Sequence, residues 1–203
     1  MPQNSPSLQP TSNTSSFECP NCGLYSPLAD ELIGLREQVI TDPLTGLFNV
    51  RHFRTALDIE LERTLRTTIP TSLMMIDLDH FKQVNDQWGH EVGNQVLKLT
   101  ARLIKQVTRQ LDIQCRYGGE EFVIILPETE IKDVIPVMEK TREMISRLPF
   151  HFRDEKVQIT MSFGVSEFQD KSTAAEIFDL ADKALYKAKQ NGRNRVEVYG
   201  GDE

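Results

Sequence analysis

The chain has 203 residues, 39% of them hydrophobic and 26% charged, enough to bury one catalytic-sized domain and carry an appendage. Its formal net charge of −7 excludes a broad basic face for nucleic-acid phosphates. No apolar run approaches the roughly 20 residues of a bilayer span, and the opening Met-Pro-Gln-Asn-Ser-Pro lacks the basic and apolar regions of a signal peptide, so the expected compartment is the cytoplasm, with neither nucleic acid nor membrane as partner.

Residues 1–27 read as a disordered segment, because Ser, Pro, Thr, Asn and Gln dominate up to about Ser16 and bury too little to offset their ordering entropy. Within it, Cys19-Pro-Asn-Cys22 is half of a zinc knuckle, and a second chain would have to supply the other pair. A redox pair and plain reduced thiols are the alternatives. Leu28, Leu32, Leu35 and Val39 recur at helical spacing, which predicts a short amphipathic linker helix over 28–40. It would pair two chains or pack on its own domain.

The main domain, 41–203, is expected to open at Thr41-Asp42-Pro43, where cap candidates precede a proline suited to a first helical turn. Leu73 to Ile76 is a buried-strand run, and Val92, Val96, Leu99, Leu103 and Val107 mark one helical face. Ile113 to Cys115 and Phe122 to Leu126 flank a glycine-bearing turn, as in a β-hairpin, with Cys115 a core residue. Ile131 to Ile145 fits a helix that Pro136 should kink or shift. Val157 to Val165 alternates strictly, predicting a strand with one core face. Thr173 to Glu176 is a capping box for a helix ending near Asn191-Gly192, and a last strand runs through Val196 and Val198. Alternating elements of this kind imply an α/β or α+β sheet covered by helices.

Two stretches carry chemistry. Asp77-Leu78-Asp79 follows the buried strand directly, where sheets of this class place ligand sites. The hairpin tip, Arg116-Tyr117-Gly118-Gly119-Glu120-Glu121-Phe122, joins two glycines, which permit positive φ and close approach, to adjacent acids. Hard cations want a few carboxylate oxygens plus phosphate and water, so Asp77 with Glu120 or Glu121 on neighbouring strands would make a metal–triphosphate site.

These motifs, with Asp42-Pro43-Leu44-Thr45-Gly46-Leu47-Phe48-Asn49 and Asp77-Leu78-Asp79-His80-Phe81-Lys82-Gln83-Val84-Asn85-Asp86, resemble the GGDEF family of diguanylate cyclases in its GGEEF form, from about Asp42 to Tyr199. The resemblance implies a palm-like, nucleotidyl-cyclase or ferredoxin-like fold: a mixed, largely antiparallel sheet flanked by helices, with a protruding hairpin carrying the active-site turn. It implies that two GTP molecules are joined into cyclic di-GMP by a homodimer with two Mg²⁺ or Mn²⁺ ions per site. On matching positions, Asp77, the Leu78 carbonyl, Glu120 and Glu121 would hold metal, Glu120 would help deprotonate the 3′-hydroxyl, and Lys82 would balance phosphate charge. Asn85, His90, Asn94, Gly118 and Gly119 would face substrate, while Lys189 and Arg193 would clamp the terminal phosphates.

The resemblance also implies an inhibitory product site at Arg109 and Asp112, with Lys140 where the family has a partner arginine. Asn94 departs from the family's Asp. An amide sets a donor against guanine's donors, a mismatch worth about 1–3 kcal/mol, so a mixed cyclic GMP-AMP product stays open. Further alternatives are a module that binds cyclic di-GMP without making it, and a structural regulator dimerised through zinc at Cys19 and Cys22.

Overall fold

The computed structural model describes residues 39–147, 150–152, 155–168 and 172–199. The expectations for the N-terminal segment, the Cys19/Cys22 pair and the linker helix before Val39 lie outside the described residues. None of the described helices is long and apolar enough to cross a membrane.

Thr41-Asp42-Pro43 does not start a helix. The Asp42 carboxylate accepts from the Thr45 amide at 2.8 Å and the Thr45 hydroxyl at 2.6 Å, which closes a turn and brings Thr41 back against Phe48. A short Asp side chain satisfies local backbone donors as readily in a turn as at a cap. After β1 (Phe48–Asn49), helix α1 runs Val50–Thr67, capped by the Asn49 side chain and ended by Thr68 in the left-handed region.

The central strand β2 (Ser72–Leu78) is buried throughout. Period-two alternation sends its side chains to two cores. Met74, Ile76 and Leu78 pack with residues of α2 (Phe81–Trp88), α3 (His90–Val107) and α4 (Ile131–Arg147), whereas Leu73 and Met75 pack with α1 and α5 (Ala174–Gln190). Helices thus cover both faces. Cys115 lies in the second core, and burial pushes its thiol up to about 12, as expected of an unreactive core cysteine.

The hairpin of β3 (Ile113–Arg116) and β4 (Glu121–Leu126) lies beside β2, and β7 (Met161–Glu167) lies on its other side, all antiparallel. With parallel β1 and β8 (Val196–Val198) at the edges, the order is β1-β3-β4-β2-β7-β8. Its four inner strands, taken in chain order, follow the ferredoxin-like arrangement. The chain is therefore an α/β fold with a mixed sheet flanked by helices.

Two further expectations change. The long alternating strand divides into β6 (Glu155–Val157), paired with β5 (Phe150–Phe152), and β7, with 158–160 outside any strand. In β7 both faces are buried, because α5 lies directly on its small residues Ser162, Gly164 and Ser166. Pro136 leaves the start of α4 at Ile131, since it falls in the second turn of a helix whose Val134, Met138 and Ile145 are locked into the core. The Thr173 capping box and the end of α5 at Asn191 are as predicted.

Candidate active site

Register builds the site. Asp77 at the end of β2 lies opposite Glu121 of β4 and Ser162 of β7. Like charges directly opposite on one face destabilise a sheet, so this pair is a concentration of charge that the fold tolerates. Asp77, Gly119, Glu120 and Glu121 line a hollow of about 170 Å³. A larger cavity of about 340 Å³ between α1 and α5 is walled by Phe53, Leu57, Tyr117 and Phe178, with Arg54, Asp58 and Asp179 also lining it. The smaller hollow gathers carboxylates from adjoining strands that could share a divalent cation beside phosphate, so it is the candidate site.

Burial pushes the Asp77 carboxyl above its ordinary value; Asp79 adds to this, and Lys189 and Arg193 oppose it. Burial also raises Glu120, reinforced by the charges of Asp77 and Glu121 and opposed by Lys189. Both groups therefore feel crowded negative charge in a partly dry site. Among the described residues, no three or more His, Cys, Asp or Glu side chains are arranged to hold a metal ion as they stand. The Asp77 carboxylate is held instead by the Lys189 ammonium at 2.8 Å. The donor set nonetheless fits a hard divalent cation in kind, because oxygen donors from two adjoining strands share one hollow and already draw a cationic side chain to it.

The glycines act differently from expectation. Neither Gly118 nor Gly119 has positive φ. A Cβ on Gly118 would lie 2.6 Å from a Glu121 carboxylate oxygen, whereas one on Gly119 would meet nothing within 4 Å. Gly118 thus makes room for Glu121, and Gly119 leaves the floor open to a ligand.

The other predicted residues spread around this centre. Lys82 on α2 is exposed and makes no ion pair among the described residues. Asn85 is half-buried, its carboxamide in the space a Cβ on Gly93 would need, while His90 and Asn94 lie exposed on the first turns of α3. Arg193 follows α5 with φ 62° and lies close enough to Asp77 to favour its charged form. Lys140 is exposed on α4.

At Arg109 and Asp112 the aspartate turns inward. The Asp112 carboxylate accepts from the Arg109 amide at 2.6 Å and its guanidinium at 3.0 Å. The guanidinium also donates to the Pro127 carbonyl and the Thr129 hydroxyl. Side-chain exposure is 54% for Arg109 and 2% for Asp112, so only the arginine is presented outward.

Two residues quoted within the sequence motifs take roles that the sequence did not assign to them. Asp79 accepts from the Thr160 and Ser162 hydroxyls at 2.7 and 2.6 Å and from the Asn194 amide at 3.0 Å. It fastens the left-handed Arg193-Asn194 segment to the end of β2. Arg116 pairs with Asp42 at 3.3 Å and donates to the Gly119 carbonyl at 2.8 Å, tying the opening turn to the glycine turn. Burial alone would raise Asp42, but the Thr45 donors and Arg116 outweigh it and hold its carboxyl below the ordinary value. Arg116→Ala should therefore loosen the turn and lower kcat by about 10²-fold, the scale of an ångström-level misplacement. Steady-state kinetics with Arg116→Lys alongside checks this, because partial rescue is expected from a residue that positions through hydrogen bonds.

Residues 39–195 match the sequence pattern described as "Diguanylate cyclase, GGDEF domain". The chain is 40% identical over 174 residues to diguanylate cyclase DgcP of Pseudomonas aeruginosa, a match covering 86% of this chain and 25% of that protein. The fold is similar to the coiled-coil and GGDEF-domain crystal structure of DgcB from Caulobacter crescentus in complex with c-di-GMP, at TM-score 0.81 and 33% identity, covering 84% of this chain and 91% of that one. It is also similar to the active GGEEF domain of a diguanylate cyclase from Vibrio cholerae, at TM-score 0.72 and 35% identity, covering 76% and 98%. The chain thus spans about a quarter of the length of the DgcP relative it matches. Because the family match takes in every element from β1 to α5, acidic hollow and glycine turn included, the chain belongs to the diguanylate cyclase GGDEF-domain family.

Proposed function

We propose that this protein is a GGEEF-type diguanylate cyclase that condenses two GTP molecules into cyclic di-GMP and two pyrophosphates. The observation that carries the reading is the shared hollow of Asp77, Glu120 and Glu121 beside an open Gly119, with Lys189 and Arg193 close by. Asp77, the Leu78 carbonyl, Glu120 and Glu121 would hold two Mg²⁺ or Mn²⁺ ions. Bound there, the metal supplies Lewis acidity toward phosphate and lowers the pKa of the ribose 3′-hydroxyl.

The chain's own residues supply the rest. Glu120, its proton affinity raised by burial and by Asp77, is suited to assist removal of the hydroxyl proton. Lys189 and Arg193 would take the terminal phosphates, Lys82 the charge that develops on phosphate, and Asn85, His90 and Asn94 the guanine. Each domain carries one GTP, so two must face each other as a homodimer.

The test incubates purified protein with Mg²⁺ and GTP, with and without ATP, and identifies products by mass spectrometry. Cyclic di-GMP with pyrophosphate is the expected result. Cyclic di-GMP binding without turnover would replace the reading with that of a receptor module, and a mixed cyclic GMP-AMP product would assign Asn94 a relaxed base choice.

We further propose that cyclic di-GMP inhibits its own synthesis through Arg109, with Asp112 orienting the guanidinium and Lys140 as the partner cation. Arg109→Ala should leave initial rates within about twofold while raising the inhibitory product concentration more than tenfold, since a charged hydrogen bond is worth about 1.5–3 kcal/mol. Progress curves with added cyclic di-GMP check this.

A further inference from the structure

Lys189 has two partners to serve. In the structure its ammonium lies 2.8 Å from the Asp77 carboxylate, with the Asp77 side chain 10% exposed and that of Lys189 31%. In the proposed reading the same lysine holds nucleotide phosphate and the same carboxylate holds metal. These arrangements compete, because an ammonium seated on Asp77 occupies the face a divalent cation needs.

We infer that the Lys189–Asp77 ion pair is an internal counter-ion that a divalent cation displaces, and that its displacement frees the Lys189 ammonium for the phosphates of the nucleotide. The inference rests on the reading of Asp77 as a metal-holding group. Its chemistry follows from burial and from the position of Lys189. A carboxylate as buried as Asp77 is costly to leave ionised and unpaired, so its ionised form favours a cation seated on it. Lysine suits the exchange, being a single mobile charge on a flexible stem and not a fixed planar fork. Lys189 lies in the last turn of α5, where the helix carbonyls favour a cation once the pair opens. Arg193 stays near Asp77 on the fastened segment after α5, so the hollow keeps one positive neighbour throughout.

The consequence is coupling. When only the open fraction of the protein accepts metal, apparent metal affinity is reduced by that fraction, and the same holds for phosphate binding to Lys189. Whichever ligand arrives first opens the pair for the second, and linkage makes the benefit reciprocal. A charge-assisted pair of this kind is worth about tenfold in each equilibrium.

The experiment titrates Mn²⁺ alone, without nucleotide, into wild type, Lys189→Met and Asp77→Asn, followed by calorimetry or by the free-Mn²⁺ resonance signal. Lys189→Met should bind Mn²⁺ about tenfold more tightly than wild type, and Asp77→Asn should lose that binding. Equal or weaker affinity in Lys189→Met, or no Mn²⁺ site on it, overturns the inference. A second measurement needs no variant: the rate at which an amine-reactive acylating reagent labels Lys189, read by peptide mass spectrometry against exposed Lys98, should rise several-fold at saturating Mn²⁺. An unchanged rate overturns it equally. A protein that makes cyclic di-GMP while showing equal Mn²⁺ affinities refutes the exchange and keeps the cyclase reading; Mn²⁺ exchange without any cyclic dinucleotide does the reverse.

Discussion

Glu120→Gln should lower kcat by about a thousandfold or more while leaving the domain no less stable than wild type. The first half follows from removing a carboxylate that both holds metal and assists proton removal in the proposed mechanism. The second half follows from electrostatics. Burial and the charges of Asp77 and Glu121 raise the Glu120 carboxyl above 4.5, so its ionised form is disfavoured in the folded protein. Between the ordinary and the raised value the native state binds more protons than the unfolded chain, and stability falls as pH rises through that window. Glutamine has no such titration. Thermal melts from pH 4 upward should show a flatter decline in Glu120→Gln, with product formation lowered about a thousandfold or more throughout. Asp42 works in the opposite sense: its lowered carboxyl contributes stability above 3.8 that is lost as pH falls through the lowered value. A Tm for Glu120→Gln well below wild type at neutral pH would show that Glu120 supports the fold in a way the crowded hollow does not predict.

Gly164→Ala should cost about 3 kcal/mol, a fall in Tm of roughly 10 °C for a domain of this size. A Cβ at this position would lie 2.2 Å from the Leu185 backbone nitrogen and 2.3 Å from the Ala181 carbonyl oxygen. Those neighbours are backbone atoms of α5 and cannot rotate aside, so the whole helix must move off the sheet. That helix carries Lys189 and leads to Arg193, and nucleotide affinity should fall with stability. Gly119→Ala is the contrasting case: nothing lies within 4 Å of its Cβ position, so its Tm should stay within about 0.5 kcal/mol equivalent of wild type while ligand approach is obstructed. Calorimetric melts of the two variants, with nucleotide binding measured beside them, check the pair.

Much of the fold was legible because its signals are local. The apolar run before Asp77, the glycine turn between two short strands and the Thr173 capping box each specify their element within a few residues. The errors arose where a distant neighbour decided the outcome. Strict alternation from Val157 to Val165 predicted one exposed face, but α5 covers the small residues of β7. Asp42-Pro43 carried the composition of a helix start, yet Thr45 and Arg116 draw the Asp42 carboxylate into a turn and an ion pair 74 residues away in sequence.

The candidate site divides along the same line. The amino-acid sequence by itself determined which chemistry is present: acids after a buried strand, acids after two glycines, and a lysine and an arginine at the end of the last long helix. Residue type and short-range spacing are enough for the acids, whereas the lysine and arginine stood out only through the resemblance to the family. Only the tertiary structure decided that Asp77 stands opposite Glu121, that Lys189 rests on Asp77, that Asp79 fastens the segment bearing Arg193, and that Asp112 turns inward to orient Arg109. Strand register and helix docking bring together groups separated by tens of residues, and charge–charge interactions act through that separation in space, to which separation along the chain is blind.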